Sequence, residues 1–95
     1  MTGACVIGHI TVKDPAKWAE YCAAVPATVA PWGAEVVFRG RRVRLLGGEH
    51  RRSETVVLRF ADLAAVDAWF DSAAYQALLP LRTQAADVDL ISFEA

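Results

Sequence analysis

The spacing of hydrophobic positions alternates along the chain between a period of two and one of three to four, and each switch marks an element. Ala4 to Val12, ACVIGHITV, carries apolar residues in both alternating sets, with Cys5 and Ile7 on one and Val6, Ile10 and Val12 on the other. That pattern predicts a strand buried on both faces, with His9 on the same face as Ile7 and Thr11. Asp14-Pro15 ends it and starts a helix, Asp14 as cap and Pro15 in the first turn. Its apolar stripe runs through Trp18, Tyr21, Cys22, Val25, Val29 and Trp32. Pro26 predicts a kink or split near Val25-Pro26, and Gly33 a C-cap.

A second strand is expected over Ala34 to Phe38, turned by Arg39-Gly40-Arg41 into a hairpin arm over Arg42 to Leu46 that Gly47-Gly48 ends. Glu49 to Ser53 reads as a polar loop. Glu54 to Phe60, ETVVLRF, reads as a third strand with Val56, Leu58 and Phe60 on one face and Val57 and Arg59 on the other. The next stretch, Ala61 to Arg82, returns to helical spacing. Asp62 is placed to cap a helix that shows Leu63, Val66, Trp69 and Phe70 on one side, and Ser72 to open a second carrying Tyr75, Leu78 and Leu79. Pro80 starts or kinks a further turn, and Val88 to Glu94 closes the chain as a last strand.

The order β-α-β-β-α-β predicts an α+β, ferredoxin-like fold: a four-stranded antiparallel sheet with strands one and three central and both helical regions on one side. Helices cover only one face of that sheet. Both central strands are apolar on both faces, so the second face calls for a partner, and a homodimer with two sheets face to face is expected.

Composition sharpens this picture. Ninety-five residues suffice for a single domain over 1–95, and 55% hydrophobic content is high for that size, which again points to burial against another chain. The formal net charge of −1 excludes a generally basic nucleic-acid binder. Aromatics are absent from strand one and reduced to Phe60 in strand three, so base stacking on the sheet is not expected either. Six of the ten basic residues (Arg39, Arg41, Arg42, Arg44, Arg51 and Arg52) fall within fourteen positions whose one acid is Glu49, a run that reads as a solvated face or dimer rim. No stretch is apolar enough to span a membrane. Nothing at the amino terminus resembles a signal peptide, and two distant cysteines make neither a metal knuckle nor a disulfide framework, so a cytoplasmic setting is expected.

No complete catalytic or metal-ligand motif is present, and no cofactor or metal is expected. His9 is the candidate acid or base, since imidazole moves a proton near neutral pH and a central strand holds it firmly. Arg39 and Arg59 are candidate carboxylate anchors if buried, unless Glu20, Glu35 or Asp89 pairs with them. Tyr21, Trp69 and Tyr75 are candidate walls of an aromatic pocket between helices and sheet, or simply core. Ser72 reads as a cap before it reads as a ligand contact. Arg82 reads as a salt bridge to Asp71 or as the mouth of a pocket, and His50, beside Arg51, reads as surface.

Several of these residues together carry a family resemblance. Asp14-Pro15, the Trp18/Tyr21 stripe, Val25-Pro26-Ala27, Phe38-Arg39-Gly40 and above all Ala68 to Arg82, AWFDSAAYQALLPLR, resemble the family called domain of unknown function 1330 over nearly the whole chain. The resemblance implies a ferredoxin-like fold pairing into a dimeric α+β barrel, and it implies no activity. The chain departs from the family pattern at Gly33-Ala34, at Gly47-Gly48 and at Arg59, which stands where an acid is common. Three roles are carried forward: a small-molecule enzyme performing proton transfer or cofactor-independent chemistry on a carboxylated or aromatic compound in a pocket between sheet and helices, where His9 is acid or base, Arg39 or Arg59 anchors the anion and Trp69 and Tyr21 form the wall; a non-catalytic ligand-binding or sensing module with the same pocket; or a dimeric assembly protein.

Overall fold

The computed structural model describes residues 3–95; Met1 and Thr2, which the single-domain reading includes, lie outside the described residues. Strands β1 (Ala4–Val12), β2 (Glu35–Arg41), β3 (Glu54–Phe60) and β4 (Ala86–Glu94) form one sheet in the order β2-β3-β1-β4. Every neighbouring pair is antiparallel, and β1 and β3 are central as expected. The helices are α1 (Pro15–Val29), α2 (Leu63–Asp71), α3 (Ala73–Gln76) and α4 (Leu79–Ala85).

Strand alternation decides what meets the helices. Val6, Ile10, Leu58 and Phe60 are buried under α1 and α2 together with Tyr21, Val25, Val66, Trp69 and Tyr75. The alternate set, Cys5, Ile7, His9 and Thr11 of β1 with Thr55, Val57 and Arg59 of β3, faces away from the helices, and there only His50 against His9 and Arg52 against Thr11 lie over it among the described residues. Phe38, Ile91 and Phe93 are 56%, 44% and 47% exposed, and the last two stand beside Ile7 and Cys5 on this open face.

The caps follow the expected chemistry. Asp14 accepts the Lys17 N–H at 3.2 Å and Asp62 the Ala65 N–H at 2.8 Å, each satisfying a donor that the first turn of a helix leaves free. Ser72 serves both sides of its junction, accepting the Tyr75 N–H at 3.2 Å and donating to the Trp69 carbonyl at 2.6 Å. Pro80 lies in the first turn of α4, and a left-handed Gly33 (φ 64°) follows the single 3₁₀ turn Ala30–Trp32.

Three expectations about elements are corrected. Pro26 does not split α1, which runs unbroken through it. Pro26 lies on the exposed side of the helix, where water reaches a carbonyl left without its usual donor, and the Ala30 N–H still closes onto the Pro26 carbonyl. Arg39-Gly40-Arg41 is not a turn but the end of β2, which bulges between Val36 and Phe38. The phenyl ring of Phe38 folds over Gly40, where an added Cβ would lie 2.6 Å from Cζ. Arg42 to Leu46 is consequently no strand. Pairing ends at Arg41 with Glu54, the Arg42 N–H closes onto the Ser53 carbonyl at 2.7 Å, and no length of β3 is left for an arm to pair with. A smaller difference is that β4 starts at Ala86, two residues before Val88.

Candidate functional site

The structure divides the sequence-predicted site residues between the two faces of the sheet. Tyr21, Trp69, Tyr75, Arg39 and Arg82 belong to the helix side, His9 and Arg59 to the open side.

On the helix side the aromatic residues fill the space between layers. Trp69 is 1% exposed and Tyr75 fully buried, with their rings 4.3 Å apart and Phe60 5.4 Å from the indole. The indole N–H donates to Thr28 Oγ1 at 3.1 Å, and that hydroxyl donates onward to the Val25 carbonyl at 2.7 Å. The pocket under α1, lined by Trp18, Tyr21, Cys22, Arg39, Trp69 and Leu90, is small, about 30 Å³. Arg39 reaches over its rim to place Nη1 3.1 Å from Cys22 Sγ.

Arg82 forms no bridge to Asp71, and no carboxylate lies within ion-pair distance of it among the described residues. Its guanidinium instead donates to Tyr75 Oη at 2.8 Å, and Tyr75 Oη is 2.8 Å from Tyr21 Oη. Burial pushes the Tyr21 phenol far above its ordinary range, and the neighbouring Tyr75 adds to the shift while Arg82 opposes it. The folded protein thus keeps a proton that an unfolded chain releases near pH 10. Above that pH the folded state binds more protons than the unfolded one, so stability falls as pH rises. Unfolding free energies from denaturant titrations are expected to drop above about pH 10 with a slope approaching ~1.4 kcal/mol per pH unit. Tyr21→Phe should flatten that slope, and an unchanged slope in the variant would place its origin elsewhere.

The open side carries the polar cluster. His9 pairs across the sheet with Thr55, and its Nδ1 lies 3.1 Å from Thr55 Oγ1. His50, from the loop after β2, sets its ring edge-on to His9, with centroids 4.7 Å apart and planes at 75°. That loop is tied down by Arg42, whose Nη1 donates to the His50 carbonyl at 2.6 Å. Together they border an open recess of about 500 Å³ with His9, Thr55 and Gly40 on the sheet, Phe38 and Leu45 as apolar wall, and Arg41, Arg42 and Arg44 at the rim. Arg59 takes no part: it is exposed and paired with Glu35, its cross-strand neighbour on β2. Arg39 is exposed as well, so neither guanidinium is buried. Alternation turns Arg59 away from the helices, and β2 is an edge strand that leaves Arg39 within reach of water.

His50 and Thr55 were not singled out from sequence as partners of His9. Thr55 follows from strand register alone, and His50 from a loop path that no local pattern encodes.

Fold and site together define a ferredoxin-like α+β protein with an uncovered, partly apolar sheet face. Residues 3–95 match the family described as Domain of unknown function (DUF1330), and the chain belongs to that family. Solved structures agree on the fold. A Rhodopseudomonas palustris protein of unknown function superposes with TM-score 0.78 at 16% identity over 96% of this chain and 80% of its own. A dimeric ferredoxin-like protein of unknown function from Jannaschia sp. CCS1 gives 0.73 at 11% identity, covering 98% of this chain and 99% of that one. SnoaB of Streptomyces nogalater, a cofactor-independent oxygenase, gives 0.72 at 14% identity over 100% and 94%. No curated protein matches the sequence. No helix is long and apolar enough to cross a membrane, and no cluster of three or more potential metal ligands occurs, both among the described residues.

Proposed function

We propose that the protein is a homodimeric small-molecule enzyme of the cytoplasm. It performs proton transfer or other cofactor-independent chemistry on a small carboxylated or aromatic compound held on the open face of the sheet. His9 is the acid or base, oriented by Thr55 and flanked by His50; Arg42 and Arg41 attract the anionic group; Phe38 and Leu45 offer the apolar surface. The partner sheet, lying face to face, closes the recess and shields the reacting groups from water.

The observation that carries this reading is the His9–Thr55 pair at the floor of a roomy recess edged by arginines. The pocket beside Tyr21 and Trp69, by contrast, is about 30 Å³. Solved structures of the same fold, one a dimeric ferredoxin-like protein and another a cofactor-independent oxygenase, lend it support. So do two free thiols, Cys5 and Cys22, for the cytoplasm.

Native mass spectrometry of the protein as purified, read for subunit count and retained compound, supplies the compound for an assay. His9→Ala is then expected to lower turnover about 100-fold while leaving the melting temperature near wild type. A folded His9→Ala protein with full turnover ends the assignment.

A second reading rests on a specific feature. Arg39 and Arg82 have no carboxylate partner among the described residues and border the helix side, which suits a ligand-binding module that opens around Trp18 and Tyr21 to take an anion. Thermal stabilisation by a carboxylate that is lost in Arg82→Gln and kept in His9→Ala selects it.

A further inference from the structure

Two surfaces are left without a counterpart, at opposite edges of the sheet. The first is the arm Arg42–Leu46, which follows edge strand β2. Val43 is 94% and Leu46 81% exposed, apolar side chains that water surrounds almost completely. Arg44 between them has no acid within ion-pair distance among the described residues. Among the described residues the arm's hydrogen bonds to the rest of the chain are at its base, through Arg42 to Ser53 and His50.

The second is a groove of about 220 Å³ between α2 and the other edge strand, β4. Val66, Phe70, Leu90 and Ile91 form its apolar lining, with Asp67 and Asp71 as its two charged members. Phe70 and Ile91 are 38% and 44% exposed, and neither aspartate has a cationic partner among the described residues.

Basic and apolar on the arm, acidic and apolar in the groove, the two surfaces complement each other. They cannot meet within one chain, because β3 and β1 lie between the strands that carry them. We propose that the arm of one protomer docks in the α2/β4 groove of a second copy. Val43 and Leu46 enter between Phe70 and Leu90, and Arg44 reaches Asp67 and Asp71. A two-fold axis repeats the contact, so each dimer holds two. Ile91 belongs both to the groove and to the open sheet face, which makes the docking continuous with a face-to-face interface. Opposite charges at the rim select this pairing against others and hasten encounter. The inference does not depend on any chemistry at His9.

Charge exchange tests it in the full-length protein by sedimentation equilibrium. Arg44→Asp and Asp71→Arg are each expected to raise the dimer Kd tenfold or more. The double variant, whose net charge is that of the wild type, should return to within about threefold of it. Both positions are exposed, and a cation at the C-terminal end of α2 suits the helix dipole, so the variants should fold with wild-type circular dichroism. Val43→Asp with Leu46→Asp should weaken the dimer without rescue by Asp71→Arg. Single variants that dimerise like wild type overturn the proposal. So does a double variant no tighter than the singles, since the arm would then contact something other than this groove.

Discussion

Trp69→Ala is expected to remove ~3–5 kcal/mol of stability, the largest loss from any single truncation in this core. The indole is 1% exposed and touches all layers of the fold at once: Phe60 on β3, Tyr75 on α3 and Thr28 on α1. Its removal costs the transfer free energy of the largest buried side chain and leaves a void that elements fixed by the sheet close only in part. The hydrogen bond contributes less. Thr28 still donates to the Val25 carbonyl, so only an acceptor lone pair is left open. Against a total of about 5–15 kcal/mol for a small domain, the loss brings the variant near its unfolding threshold. Urea titration followed by circular dichroism measures it, with Trp69→Phe expected to lie between variant and wild type. A loss below ~1 kcal/mol would mean that the indole is not at the centre of the packing.

Ile7→Asp is expected to abolish dimerisation while sparing the monomer fold. Ile7 is central on the open face, between Val57 of β3 and Ile91 of β4. Ile7 is partly buried in the monomer, so a carboxylate there keeps contact with water and costs less than it would beneath a partner sheet. Closed against a partner sheet it would be buried without a cation, at several kcal/mol on each side of the axis. A rise in dimer Kd of ~1,000-fold or more follows, about 4 kcal/mol. Size-exclusion chromatography with light scattering at micromolar concentration should then report a monomer of 10.3 kDa. A variant that still elutes as a dimer would show that the subunits meet elsewhere, and would remove the cover proposed for the His9 recess.

In the proposed dimer the groove and the open face bear on one equilibrium at different strengths. The expected effect of the rim charges is about a decade in Kd, that of the sheet centre about three. Measuring Ile7→Asp alongside the Arg44 and Asp71 exchange separates the two.

Local chemistry was readable in the chain wherever one residue type has one physical use. Asp14, Asp62 and Ser72 were identified as caps because a short oxygen-bearing side chain before an apolar helical period satisfies free N–H groups, and each does. The element order and the central place of β1 and β3 were readable too, from strands that are apolar in both alternating sets. That same double burial concealed which face the helices take. His9 could be placed with Ile7 and Thr11, yet nothing in a two-sided strand says whether that set points at α1 and α2 or away from them. An expectation that His9 would join Tyr21 and Trp69 in one pocket therefore failed, and the candidate site moved across the sheet.

Other decisions belong to tertiary structure for equally definite reasons. The alternation of Val43 and Leu45 with arginines satisfies the rule for a strand, but a strand needs a neighbour, and β3 has none left to give beyond Glu54. Pro26 weakens any helix, but only packing decides whether it faces water, where the break is tolerated. Arg59 finds Glu35, twenty-four residues away, through cross-strand register, and Arg82 passes over Asp71 for the buried Tyr75 hydroxyl. The sequence by itself thus determined the periods, the caps and the apolar character of both alternating sets in β1, because these depend on neighbours within about four residues. Which face lies under the helices, which arginine meets which acid and where a recess remains depend on residues far apart in the chain, and only the assembled sheet settles them.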